Sequence, residues 1–258
     1  MFACAAVMLA LVCSGTSATA YTPPAPPPPP FAGCAPGKVF FFETGGGNDV
    51  GRGTPAGDMI LTADGNDVVD AGGGDDCIDL GPGNDVGQAG EGNDLALGGL
   101  GDDNLIGGTG TDRLQGNAGS DIASGESGDD DLVGGSGRDR LFGGLGDDRV
   151  SGEAGGDSIS GSGGNDNVSG DASNDALRGD SGRDRLDGGS GRDRLSGGRG
   201  SDRLSGGPGR DRMSGGSGSD VISSRDNARD RISCGGGRDT VIADRIDRVS
   251  DDCERVRR

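Results

Sequence analysis

The sequence predicts an all-β chain folded as a solenoid, a right-handed parallel roll of about 20 nonapeptide half-coils with capped ends. Three observations predict it. An aspartate recurs every nine residues without a slip from Asp49 to Asp220. Each aspartate closes a glycine-rich hexad, and an apolar residue stands two places after it. A fixed period of this length is the signature of a chain built from stacked, nearly identical units.

Written from its first glycine, the unit is G-G-x-G-x-D-x-U-x, with U apolar, as in Gly134-Gly135-Ser136-Gly137-Arg138-Asp139-Arg140-Leu141-Phe142. The fourth place is glycine in 18 of 20 units, the exceptions being Ala56 and Ser173. Glycine reaches backbone conformations closed to other residues, so the hexad reads as a sharp turn. The x-U-x that follows is long enough only for a short strand, with U facing one side and its neighbours the other. A turn plus a short strand is half a coil, so two units, 18 residues, make one full turn. The U place is aliphatic or Met in most units, from Ile60 to Ile222, and weakens to Gly51, Gly87, Ala96 and Ala123.

Aspartates 18 apart then stack on one edge, about 4.8 Å apart, the spacing of neighbouring strands. One ladder takes Asp49, Asp67, Asp85, Asp103, Asp121, Asp139, Asp157, Asp175, Asp193 and Asp211; the other takes Asp58, Asp76, Asp94, Asp112, Asp130, Asp148, Asp166, Asp184, Asp202 and Asp220. Neighbouring carboxylates at that spacing repel by about 1 kcal/mol even in water. A cation must lie between them. Oxygen donors suit a hard ion, and calcium accepts six to eight oxygens in flexible geometry where magnesium requires an octahedron. The chain has no His, which excludes a zinc or copper site built on imidazole.

The unit resembles the nonapeptide of the RTX family, the hemolysin-type calcium-binding repeats, over residues 44–223. That resemblance implies a parallel β-roll that is unfolded without calcium. Ions would sit between successive turns, held by the 20 ladder aspartates named above and by carbonyls of the glycine-rich turns. It also implies a repeat-only secreted bacterial protein with a disulfide-closed end.

Composition bounds the rest. The chain carries 43 acidic and 24 basic residues, a net charge of −19. Residues 44–133 hold 19 acidic and 2 basic side chains, residues 134–224 hold 15 and 12, so the acidic excess lies in the first half. No basic stripe long enough to neutralise a phosphate backbone is evident, so nucleic acid is not an expected partner. With no Trp and 30% hydrophobic residues, the core must be thin and the bound ion must supply folding energy.

Residues 1–20 read as a secretory signal, a short apolar run ending in Ala18-Thr19-Ala20, too short to span a bilayer. This departs from RTX proteins exported on an uncleaved C-terminal signal. Residues 21–43 combine a proline-rich extended spacer, Pro23 to Pro30, with a strand at Val39-Phe40-Phe41-Phe42 that plugs the first coil. Residues 44–223 form the roll and 224–258 a C-terminal cap, reached after a one-residue slip that puts Asp230 ten residues beyond Asp220. Four cysteines remain after cleavage, which suits an oxidising compartment. Three pairings are open; proximity favours Cys34–Cys77 and Cys234–Cys253, one at each end.

Arginines flank the ladder aspartate in Arg183-Asp184-Arg185, Arg192-Asp193-Arg194 and Arg210-Asp211-Arg212. They either pair with the aspartate and weaken cation binding, or project into solvent. Pairs such as Asp75-Asp76 and Asp129-Asp130 imitate a glycosidase dyad, but in register each is a turn residue beside a ladder residue. With no His and no base beside any serine, no enzyme activity is expected. The expected function is that of a secreted, extracellular calcium-binding repeat protein with a structural or interaction role. The alternative is a cell-surface adhesin or extender module, its envelope partner unknown. No Thr ladder supports ice binding, and the 23 residues between signal and roll cannot hold a toxin or protease effector.

Overall fold

A computed structural model describes residues 46–258. The expected signal segment, the proline-rich spacer with its cap strand, and Cys34 lie outside the described residues. Among these, the chain forms 24 short strands and no helix, from Val50–Arg52 to Arg255–Arg257. Odd-numbered strands in chain order make one 12-stranded sheet and even-numbered strands the other. Every pairing is parallel and joins a strand to the next but one, so the chain alternates between sheets. The register is the 18-residue turn read from the sequence, Leu132 against Val150 and Leu141 against Ile159.

The core is two stacks of U residues. One runs Leu105, Ala123, Leu141, Ile159, Leu177, Leu195, Met213, Ile232. The other runs Ile60, Ile78, Ala96, Leu114, Leu132, Val150, Val168, Leu186, Leu204, Ile222, Val241. All of these are buried. Each larger one contributes about 1.5–3 kcal/mol through burial of its side chain. Where U is Gly87, the missing volume is supplied by Leu80, whose Cδ1 lies 3.1 Å from where a Cβ on Gly87 would sit. Leu80 is itself fully buried, at a place that is glycine in most units.

The turns carry the glycine requirement. Gly137 has φ +142°, and a Cβ there would land on the carbonyl oxygen of Gly119 one coil earlier. Backbones of successive coils meet so closely at this place that only hydrogen fits.

Twenty half-coils were expected and twenty-four strands are present. The last four begin at Arg231, Thr240, Arg248 and Arg255 and extend both sheets. The one-residue slip is absorbed between Ser224 and Arg231, where Asn227 takes φ 66°. Across it the register is 19, Met213 against Ile232 and Ile222 against Val241, and it then shortens to 17 and 15 in the last two pairings, Ile232 against Val249 and Val241 against Val256. Cys234 and Cys253 are disulfide-bonded across this end. Cys77 is disulfide-bonded as well. Its expected partner, Cys34, is outside the described residues.

Gly137→Ala is expected to destabilise the roll by about 3 kcal/mol or more, since it adds both a clash and a strained φ. Gly163→Ala meets only ordinary contact, 3.5 Å to Leu145 Cδ2, and is expected within about 1 kcal/mol of wild type. Chemical unfolding followed by circular dichroism checks both; equal losses would contradict the close approach at Gly137.

Candidate functional site

The ladder aspartates end each turn just before the strand, and alternation along the strand sends them inward between exposed neighbours. From Asp58 to Asp220 every one is buried, and Asp49, in the first coil, is half-buried. The backbone N–H of each donates to one carboxylate oxygen of the aspartate one coil later, at 2.6 to 3.0 Å. Its carbonyl accepts from the residue following that same aspartate, as from Arg149 N–H to Asp130 O at 2.8 Å. The backbone is therefore satisfied, and one carboxylate oxygen with it.

The other oxygen is not. In 22 aspartates, Asp49 through Asp239, it is buried with no hydrogen-bond partner among the described residues: Oδ2 throughout except Asp58, where it is Oδ1. Desolvating an anionic oxygen without a donor is among the costlier arrangements a protein can hold. The orphan oxygen faces the first glycine of its own hexad. At Gly170 a Cβ would lie 2.6 Å from Asp175 Oδ2 and 2.8 Å from the carbonyl oxygen of Gly188, one coil on. A carboxylate oxygen and a turn carbonyl thus converge where the glycine leaves room. No three acidic, His or Cys side chains come together as a cluster among the described residues. Each level of a ladder contributes one carboxylate, and any remaining donors must be backbone carbonyls.

Burial pushes the ladder carboxylates from Asp76 to Asp230 up, with neighbouring aspartates adding to the rise in most and the hydrogen bond from the preceding coil opposing it. Asp76, Asp103, Asp112, Asp148, Asp175 and Asp211 are raised to about 7, and Asp94, Asp121, Asp157, Asp166, Asp184, Asp220 and Asp230 to about 6. Without a cation, ionising the ladders at neutral pH opposes the fold. An all-oxygen site of orphaned carboxylates and carbonyls, in a flexible turn, fits a hard divalent cation.

Both ladders run further than the 20 expected members. Asp211 N–H donates to Asp230 and Asp220 N–H to Asp239, each at 2.8 Å, then Asp230 to Asp247 at 3.0 Å and Asp239 to Glu254 at 2.8 Å. The signal was the acid-x-U triplet, intact in Asp230-Arg231-Ile232, Asp239-Thr240-Val241, Asp247-Arg248-Val249 and Glu254-Arg255-Val256; only Asp239 keeps turn glycines before it, at Gly235-Gly236-Gly237. At Asp247 the second oxygen accepts from Ser224 Oγ and Asp244 N–H. Protein donors close that ladder.

A second ladder, missed in the sequence, runs beside the first in the opposite sense. The residue before the ladder aspartate is often Asn or Asp, and its Oδ1 accepts the equivalent N–H one coil later: Asn66 to Asn48 and Asn84 to Asn66 at 3.0 Å, Asp147 to Asp129 at 2.8 Å. Asp75 and Asp129, which could imitate a catalytic dyad, are bonded in this way. Arginine pairing with the ladder is not seen in the C-terminal half. The ion pairs among the described residues are Arg52–Asp70 and Arg113–Asp131, both at 3.4 Å.

A model of the RTX calcium-binding nonapeptide repeat matches in overlapping copies across residues 43–222. The chain belongs to the RTX calcium-binding nonapeptide repeat family. Comparison with curated proteins finds no match. Among solved structures, it is similar to a hyperactive, Ca2+-dependent, β-helical antifreeze protein from an Antarctic bacterium, at 22% identity and a TM-score of 0.40. That match covers 78% of this chain and 65% of the other, so the chain spans less than two thirds of that protein.

The raised acids set a pH dependence for the cation-free RTX roll. Their folded-state values, about 6 to 7, lie above the ordinary 3.8, so the folded chain holds more protons through that window. Stability is greatest below about pH 4 and falls as pH rises through 7. In chelator, β-type circular dichroism is expected at pH 4 to 5 and loss of it by pH 8. A cation-free roll stable at pH 8 and weaker at pH 4 would reverse the sign.

Proposed function

We propose that this chain is a secreted bacterial calcium-binding protein of structural or interaction role, which folds as calcium enters between its stacked Gly–Asp turns. One observation carries the reading: 22 buried carboxylate oxygens in two ladders lack a donor among the described residues. Calcium supplies the positive charge that lets these oxygens stay ionised and joins one coil to the next. The protein's part is to hold the acceptors. The N–H of each aspartate fixes the next carboxylate, glycine keeps the space beside it open, and turn carbonyls complete the donor set. The ligands in this proposal are the 20 aspartates from Asp49 to Asp220, together with Asp230 and Asp239, whose oxygens are orphaned in the same way.

Secretion is supported by the leader-like residues 1–20 and by the disulfide at Cys234–Cys253, a bond that persists in oxidising compartments. The reading includes no catalytic step, for the buried acids are committed to the ladders.

Calcium, but not magnesium, is expected to convert the chelated chain from coil to β structure cooperatively at pH 8. A chain unchanged by either ion would defeat the proposal. Asp148→Ala removes a rung between two others and leaves the N–H of Asp130 buried without an acceptor, which costs about 1–3 kcal/mol beyond any lost ion contact. Asp49→Ala, at the first rung, strands no N–H among the described residues. The calcium midpoint is therefore expected to rise clearly for Asp148→Ala and much less for Asp49→Ala; equal midpoints would contradict the ladder.

A further inference from the structure

On the last turns of the roll the exposed residues beside one ladder are arginines. Arg194, Arg212, Arg231 and Arg248 stand in direct register on four neighbouring strands of the same sheet. On the other side of the ladder aspartates, Arg192, Arg210 and Arg229 form a second column. The two columns border a trough of about 420 Å³, floored by Asp193 and Asp211. All seven guanidinium groups are exposed, and none forms an ion pair among the described residues.

This arrangement is unfavourable left to itself. Like charges one strand apart repel by about 1 kcal/mol per pair in water, and solvation alone gives no reason to stack them. The base used is also selective. The chain has 23 arginines and a single lysine, Lys38. Arginine differs in presenting a planar fork that holds carboxylate, sulfate or phosphate through two parallel hydrogen bonds. The earlier coils of the same edge carry Val50, Val68, Val86, Asn104, Ile122, Arg140, Ser158 and Ala176 at the place of the first arginine column, so the unbroken run of arginines begins at Arg194 and is local to one end.

We propose that this trough binds an extended acidic polysaccharide, with successive carboxylates or sulfates held by successive rungs of arginine. The rung spacing of about 4.8 Å is close to the rise of one sugar ring along an extended chain, and is shorter than the spacing of phosphates along a stretched nucleic-acid strand. The charge is complementary at the trough while the rest of the protein is strongly acidic, so an anionic chain is held here and repelled elsewhere. The inference concerns exposed side chains and does not depend on which ion fills the ladders.

The test uses the full chain in saturating calcium, with circular dichroism confirming the β fold of every variant. Calorimetric titration with oligogalacturonate, with sulfated dextran fragments and with neutral dextran separates carboxylate from sulfate recognition and both from sugar contact. Binding of at least one acidic polymer, weakened by added salt and absent for neutral dextran, is expected. The combined substitution Arg194→Gln, Arg212→Gln and Arg231→Gln should weaken it by about tenfold or more. The same three changed to Lys should give a smaller loss. Arg149→Gln, Arg185→Gln and Arg203→Gln, exposed on the other sheet, should leave it unchanged. No binding by the wild type, equal loss in the second triple, or tighter binding of a single-stranded oligonucleotide than of either acidic glycan would overturn the proposal.

Discussion

Everything in this structure turns on a carboxylate whose two oxygens have different fates. One is tied to the backbone of the neighbouring coil, and its geometry is fixed. The other is buried and left without a donor. The first makes the aspartate a structural element, equivalent to one more rung of sheet hydrogen bonding at the corner of every coil. The second makes the fold conditional on something positive arriving, be it a proton or a cation. Glycine serves both oxygens, since it lets coils approach closely enough for the first bond and leaves open the space beside the second.

The thin aliphatic core fits this division. Two columns of single side chains bury apolar surface continuously, but nothing wider is available in a chain with so few aromatics. The core sets the register, through U against U at every level, and the corners decide whether the register is occupied. Stability and cation loading are then two descriptions of one equilibrium. The C-terminal end is the exception, where Ser224 and Asp244 supply the donors that Asp247 needs and a disulfide spans the last coils.

Much of this was legible in the residues. The nine-residue period gave the two ladders and the two core stacks directly, because a strict repeat maps each place to one environment. The difference between the two oxygens was not legible, since it depends on the direction in which each N–H points. The last ladder members read as a cap instead, because recognition leaned on an unbroken nine-residue period, and the period slips before Asp230. Asp230, Asp247 and Glu254 keep the acid and the apolar residue without the glycines, whereas Asp239 keeps Gly235-Gly236-Gly237 as well but lies beyond the slip. The exchange between Gly87 and Leu80 was hidden for another reason. The two are complementary in volume across the core, and their places in the repeat differ.

The chain alternates between sheets at each unit, and this gives the repeat number a parity. Residues separated by an even number of nonapeptides share an edge; those separated by an odd number lie on opposite edges. Gain or loss of a single unit within the regular coils would leave core, turns and ladders intact. Yet it would carry the whole arginine array, unchanged in itself, to the other side of the molecule relative to the valines and acids upstream. Copy number in such a protein is thus more than a measure of length. It also acts as a rotational setting, through which the relative orientation of two surface features can be inverted without altering a residue of either.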